Sequence, residues 1–243
     1  MSDHSSQFAL EGILGRAAET GVRWGQRRSG LVLNEKSAGQ LVSSADVEIE
    51  AQIRNDLSAA FPGDAIIGEE LGGSLGLDTT GWAIDPIDGT SNFVLGLPFW
   101  GISVGYVARG RSMLGAIALP EFGLILSASH GNGLKVCATG PVPAGRPPSL
   151  KVMALGENDY ESGSETDARA QSLRDEGFAV VRYRCAVVSL GLAAIGRLSG
   201  YLEHGCGLWD IAAAEVICRE AGMNVQTAAI AEGRYAIDAR WPC

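Results

Sequence analysis

The stretch whose reading decides the fold is Trp82-Ala83-Ile84-Asp85-Pro86-Ile87-Asp88-Gly89-Thr90-Ser91-Asn92-Phe93. It starts as an apolar run of strand type and places a carboxylate, Asp85, at the strand's end. Pro86 has no N–H to offer a neighbouring strand and is expected to halt the pairing there. Asp88 follows in a turn, Gly89 permits an unusual backbone angle, and Thr90, Ser91 and Asn92 are N-cap types ahead of Phe93-Val94-Leu95. A helix opening at that point directs unpaired N–H groups forward, which is how helix starts bind phosphate. Two aspartates beside a phosphate repel it and each other unless a divalent cation lies between them. Mg2+ takes a few carboxylates together with phosphate oxygens and suits that setting. The plain alternative is a turn in which Asp88 caps the helix. The combination of strand end, proline, paired carboxylates, glycine and hydroxyl favours the site.

Outward from this stretch, the chain alternates helices and strands. Leu10, Leu14, Ala17, Gly21 and Trp24 recur at helical spacing and predict a helix over residues 5–28. Ile49, Ile53, Leu57 and Ala60 predict a second over residues 46–61, stopped by Pro62-Gly63. Residues 65–68 read as a short buried strand, followed by a Gly-rich loop at 71–81. The segments 102–107, 113–119, 124–129 and 134–136 read as a meander with glycine turns between them. Residues 138–150 are rich in proline and glycine and read as a surface linker between an N-terminal lobe, 1–137, and a C-terminal lobe, 151–243. In the latter, strands at 151–155, 178–183 and 200–203 alternate with helices at 166–176, 186–198 and 209–221, a pattern of helices stacked on a mixed sheet. The fold class is α/β (α+β), with both lobes packed as one unit.

Two further acidic sites join the first. Glu69 leaves the strand end at 68 much as Asp85 leaves its own, and strand ends line the ligand crevice of open α/β sheets. Asp210, in Trp209-Asp210-Ile211-Ala212-Ala213, falls in the first turn of a helix, where a negative charge is favourable in any case. Other chemistries lack their signatures. There is no G-x-S-x-G elbow or phosphate loop of the G-x-x-x-x-G-K-[ST] type, and His4, His130 and His204 form no metal pattern.

The 243 residues are 46% hydrophobic, enough for a sizeable core, and 33 are glycine. That glycine share is roughly twice the usual ~7% and announces many tight turns and close backbone approaches. A net charge of −9 argues against a nucleic-acid partner, which needs a basic footprint, and against docking to an anionic membrane. The cysteines Cys137, Cys185, Cys206, Cys218 and Cys243 are odd in number and widely spaced, as expected of free thiols in a reducing cytoplasm. No signal peptide or membrane-spanning run is evident.

The order Gly68-Glu69-Glu70, then Trp82 to Phe93, then Trp209-Asp210-Ile211-Ala212-Ala213 resembles the inositol monophosphatase family, and the resemblance runs from Leu41 to Gly222. It implies a layered αβαβα sandwich of the inositol monophosphatase and fructose-1,6-bisphosphatase type. It implies lithium sensitivity, a homodimer, two or three Mg2+ ions and hydrolysis of a small polyol phosphate, myo-inositol 1-phosphate first. By the same resemblance, Glu69 binds metal and positions the water, Asp85 bridges two metals, Ile87 gives a carbonyl ligand, and Asp88 and Asp210 hold the second metal. Gly89, Thr90 and Ser91 form the phosphate-binding turn, with Thr90 near the nucleophilic water. Asp46 stands near a third metal's waters, or caps the second helix. Glu203 bonds a substrate hydroxyl, or is an edge-strand surface charge.

Two departures stand out. Where the family has Gly-Ser-Ala or Gly-Thr-Ala, this chain has Arg184-Cys185-Ala186. Arg184 reaches an extra phosphate or carboxylate of the substrate, or is a solvated strand-end charge. After Val225 the family continues through a further strand and helix, whereas this chain stops at Cys243, so the second lobe is expected to be less covered, or covered by a partner. The alternatives within the class are a fructose-1,6-bisphosphatase, a 3′-phosphoadenosine nucleotidase and a histidinol-phosphate phosphatase. From another class, the alternative is a regulatory, protein-binding member of the family.

Overall fold

A computed structural model describes residues 4–37, 40–75, 80–142 and 150–242. The helix expected at the start is α1, His4–Gly25, and it buries Leu10, Leu14 and Ala17 at helical spacing. A two-stranded ribbon follows, β1 (Leu33–Ser37) with β2 (Gln40–Ser43). The sequence reading missed it; Leu33, Asn34 and Glu35 are all exposed, so β1 shows no buried alternation among its described side chains. Helix α2, Ser44–Ala60, is capped by Ser43 and not by Asp46. Asp46 is the third residue of a capping box and accepts the Ser43 N–H at 2.9 Å.

The first sheet holds β3 (Ala65–Gly68), β4 (Gly81–Asp88), β5 (Gly101–Ala108), β6 (Arg111–Leu119), β7 (Leu124–Ser129) and β8 (Leu134–Ala138), in that order across the sheet. Only β3 and β4 run parallel. Pro86 does not halt β4, contrary to the expectation from sequence. The β3 ladder ends at Ile84, so the proline meets no partner on that side, and the β5 ladder skips from Asp85 to Asp88. The strand bulges past the proline and carries its carboxylates on. The short helix α3, Thr90–Leu95, follows at once.

Most of the expected linker lies outside the described residues. Beyond it, β9 (Val152–Leu155), β10 (Ala179–Val181), β11 (Gly200–Cys206), β12 (Asn224–Ala231) and β13 (Arg234–Arg240) form a second, mixed sheet in the order β10-β9-β11-β13-β12. The hairpin β12–β13 carries the second sheet on beyond Val225, with β12 as its edge strand. Strand β13 pairs with β11 and buries Ile237 and Ala239.

Helix packing produces five layers. Helices α1 and α2 cover one face of the first sheet around Leu14, Ile53, Trp82 and Ile102. Helices α5 (Ala186–Ala194) and α6 (Leu208–Glu220) fill the space between the sheets, around Leu126, Val188, Ile217 and Ile237. Helix α4 (Gly163–Asp175) closes the far face through Ala170 and Leu173. The arrangement is the αβαβα sandwich implied by the resemblance. Gly105 and Gly115, paired across β5 and β6, let α6 lie close to the first sheet. A Cβ at Gly105 would sit 2.5 Å from the Ala213 nitrogen, and one at Gly115 would sit 2.6 Å from the Ala213 Cα.

Candidate active site

The carboxylates meet because four chain segments end at one place. β3 and β4 are parallel neighbours, and the Glu69 N–H donates to the Ile84 carbonyl at 3.1 Å, which sets Glu69 beside Asp85. Ser103 lies opposite Asp85 across the β4–β5 ladder, and its hydroxyl donates to the Trp209 carbonyl at 3.0 Å. That bond ties the start of α6, and hence Asp210, to the same strand end. Asp210 stands three residues into its helix and accepts the Gly207 N–H at 2.6 Å. The start of α5 arrives through Asp88, which accepts the Val187 N–H at 2.5 Å and the Cys185 thiol at 3.2 Å.

A cavity of ≈140 Å³ results, lined by Glu69, Asp85, Ile87, Asp88 and Asp210 together with Gly89, Thr90, Arg184 and Glu203. Nine of the residues singled out from sequence therefore line one cavity. Asp46 and Ser91 are not among its lining residues. Asp46 lies behind Thr90, whose hydroxyl is 3.1 Å from Asp46 Oδ1 and 3.0 Å from the Ile87 carbonyl. Gly89 is required where it stands: its φ is +84°, and a Cβ would come 2.6 Å from the Phe99 carbonyl oxygen.

Burial and mutual repulsion dominate the electrostatics. Asp85 is 1% exposed, and its Oδ1 has no hydrogen-bond partner. Burial first, then the charges of Glu69, Asp88, Asp210 and Asp46, hold its carboxyl well above the usual range. Asp88 is pushed up to about 7, by burial against the lowering bonds from Val187 and Cys185. Asp210 is raised by burial and by Asp88. Asp46 rises to about 6, through burial that outweighs its bonds to Ser43 and Thr90.

This donor set fits a hard divalent cation. It is made of carboxylates and a backbone carbonyl, with no thiolate or imidazole among them, and a cation would remove the repulsion and give Asp85 Oδ1 a partner. Among the described residues, no group of three or more His, Cys, Asp or Glu side chains closes on one point to hold an ion by itself. The carboxylates line a cavity instead, as suits ions that keep places for water and substrate oxygens.

Glu203 is among the residues singled out from sequence, whereas its partners Tyr201 and Asn158, the bonds of Asn92 and the role of Glu50 were missed. Glu203 is buried in β11, an interior strand, and not on an edge. Its carboxylate accepts Tyr201 Oη at 2.5 Å and Asn158 Nδ2 at 2.9 Å, and burial raises it. Asn92 Nδ2 donates to the carbonyls of Phe99 at 2.7 Å and Tyr183 at 2.8 Å, joining α3 to the segment before α5. Buried Glu50 accepts the N–H groups of Glu70 at 2.8 Å and Leu71 at 3.2 Å, which fixes the turn that carries Glu69. Its signal was Arg54, four residues on, which pairs with it at 2.7 Å. His204 lies 3.0 Å from Glu161 and outside the cavity lining.

The model of the inositol monophosphatase family matches residues 9–239. An inositol-1-monophosphatase of Mycobacterium leprae is 35% identical over 222 residues, covering 87% of this chain and 76% of its own. A histidinol-phosphatase of Mycobacterium tuberculosis is 32% identical over 190 residues, covering 74% and 72%. Among solved structures, the extragenic suppressor protein suhB from Bartonella henselae superposes with a TM-score of 0.85 at 26% identity, covering 97% of this chain and 94% of its own. Among the described residues, no helix is long and apolar enough to cross a membrane.

Proposed function

The chain belongs to the inositol monophosphatase family, a family of metal-dependent phosphatases, and on that premise we propose that it hydrolyses phosphate monoesters of small polyols with Mg2+, myo-inositol 1-phosphate first among them. The observation that carries this reading is the convergence of Glu69, Asp85, Asp88 and Asp210 on one cavity beside the Gly89–Thr90 turn.

Glu69, Asp85, Asp88, Asp210 and the Ile87 carbonyl would hold the cations, which supply charge stabilisation at the attacking and leaving oxygens. The chain's own residues do the rest. The N–H groups of the Gly89–Ser91 turn bind the phosphate. Thr90 shares its single hydroxyl hydrogen between Asp46 and the Ile87 carbonyl, so its lone pairs can accept from a water. Asp46, with its carboxyl near 6, is poised to take up through Thr90 the proton that the attacking water gives up, while Glu69 orients that water. The P–O ester bond breaks in line, and the leaving alkoxide takes a proton from solvent. Glu203, held by Tyr201 and Asn158, is placed to accept from a substrate hydroxyl.

Phosphate release from a panel of inositol, sugar, nucleotide and histidinol phosphates, with and without Mg2+, tests the proposal. Mg2+-dependent turnover that Asp85→Asn lowers by about 10³-fold supports it. Absence of turnover across the panel overturns it. Histidinol phosphate is included because of the relative with that activity. A cytoplasmic homodimer and the lobe boundaries at 137 and 151 belong to the same proposal and rest on the resemblance and the sequence. Light scattering of the purified protein tests the first of these.

A further inference from the structure

Arg184 lines the active-site cavity in a conformation that no other lining residue with a side chain shares. Its φ is +53°, in the left-handed region, which a Cβ disfavours and a glycine adopts freely. The backbone cannot easily relax. Asn92 Nδ2 donates to the Tyr183 carbonyl at 2.8 Å and lies 3.4 Å from that of Arg184. On the other side, Cys185 and Val187 are bonded to Asp88. Unfavourable backbone angles persist where the surroundings over-determine them, and they cluster at functional sites.

The side chain is equally unusual. Six carboxylates line the cavity, and Arg184 is the one cationic residue among them. Its guanidinium makes no ion pair, hydrogen bond or ring contact among the described residues. Arg182, two positions earlier, is by contrast engaged by Asp167 at 2.7 Å and Glu157 at 3.8 Å. Arg184 is exposed, so it stands at the rim of the cavity. The cavity itself is ≈140 Å³, small against the ~300–1,000 Å³ of ordinary ligand pockets. A polyol whose phosphate sits at Gly89–Thr90 therefore projects to the rim, where the guanidinium is.

We propose that Arg184 is a specificity-determining residue that binds a second anionic group, a phosphate or a carboxylate, of a substrate whose scissile phosphate lies at the Gly89–Thr90 turn. The fork of a guanidinium matches both groups bidentately. The inference rests on the phosphatase reading above, and it extends the substrate class from polyol monophosphates to small phosphate monoesters with a distal anion.

The test compares wild type with Arg184→Gly and Arg184→Asn, two residues that tolerate a left-handed backbone. Initial rates with Mg2+ are measured on myo-inositol 1-phosphate, fructose 1,6-bisphosphate and 3-phosphoglycerate. The second and third separate a distal phosphate from a distal carboxylate. The ratio of kcat/KM for a two-anion substrate over myo-inositol 1-phosphate is expected to fall about tenfold in both variants, mainly through KM. An unchanged ratio overturns the proposal, as does an equal loss on all substrates, which marks general steering by charge. Thermal shift by the same compounds gives a readout without turnover. A shift by the two-anion compounds that both variants lose supports the Arg184 site even if no substrate is hydrolysed, in which case the phosphatase reading alone fails. No shift and no turnover in wild type overturn both.

Discussion

Asp88→Asn is expected to stabilise the metal-free protein while it destroys the enzyme. The unfolded chain ionises this carboxyl near 3.8, whereas in the folded chain it keeps its proton up to about 7. The native state thus binds more protons than the unfolded state between those values, and stability falls as pH rises through that window and levels off above it. At ~1.4 kcal/mol per pH unit, the span gives an upper bound of about 4 kcal/mol at pH 8. Asp88 is only half-buried and titrates together with its neighbours, so about 2 kcal/mol is the share to expect from one substitution. The amide oxygen can replace the Asp88 oxygen that accepts the Val187 N–H at 2.5 Å, so little is lost in packing. For a chain of this length, ~2 kcal/mol raises Tm by about 4–8 °C at pH 8, and the gain shrinks towards zero near pH 4. Differential scanning fluorimetry of both proteins in chelator, from pH 4 to 8, measures this. Saturating Mg2+ should then close the gap, because at ~100 times Kd it adds about 2.7 kcal/mol to the wild type and not to the variant. A variant whose metal-free Tm at pH 8 is no higher than that of the wild type would refute the reasoning from a buried, repelled carboxylate. One that keeps the Mg2+ shift would refute the ligand role.

Thr90→Val removes the hydroxyl that reaches Asp46 at 3.1 Å, and it should lower kcat by about 10²–10⁴ while costing no more than ~2 kcal/mol of stability; stopped-time phosphate release and a denaturant melt check the two halves separately. Gly105→Ala places a methyl 2.5 Å from the Ala213 nitrogen, so α6 must move away from β5. A loss of about 1–3 kcal/mol in urea unfolding and a matching fall in Mg2+-dependent activity, through displaced Asp210, are the expected results. Lithium at millimolar concentration should inhibit hydrolysis, as the resemblance implies, and indifference to lithium in the same assay would count against a shared metal arrangement.

Much of this architecture was legible because its periodicities are clean. The stripe Leu10, Leu14, Ala17 and the glycine-punctuated meander translate directly into α1 and β5–β8. The cluster of site carboxylates was legible for a different reason. Strand ends and helix starts are marked by local residues, and the fold only has to bring marked ends together. What escaped was what depends on partners distant in sequence. Pro86 reads as a stop when β4 is imagined between two ladders, but the β3 ladder has already ended at Ile84. For Glu203 the sequence alone leaves a surface charge open as the alternative to a substrate-binding role, and only Asn158, 45 residues away, and the interior position of β11 remove it. The β12–β13 hairpin turns at Gly233, and its central strand buries only alternate positions such as Ile237 and Ala239, a weak signal beside a strong helix.

The cavity also explains how a chain of net charge −9 can be built for an anionic substrate. Without a counter-ion the six lining carboxylates oppose a phosphate, and burial first, with their mutual repulsion added, makes Asp85, Asp88 and Asp210 hold their protons more tightly than exposed aspartates do. The same repulsion makes a divalent cation the favourable occupant, since it gains from every carboxylate at once and displaces protons that the site would otherwise retain. On the proposed function, held cations would reverse the local field, and the N–H groups of the Gly89–Ser91 turn would act with it rather than against it. Cation and phosphate binding are therefore coupled through the field and not through any moving part: each raises affinity for the other by the same factor. Arg184 stands outside this coupling, at the rim, with a charge that attracts anions whether or not the cations are bound. A site in which one cation is fixed and the others must be recruited can select its substrate by the fixed one and switch on its chemistry by the rest.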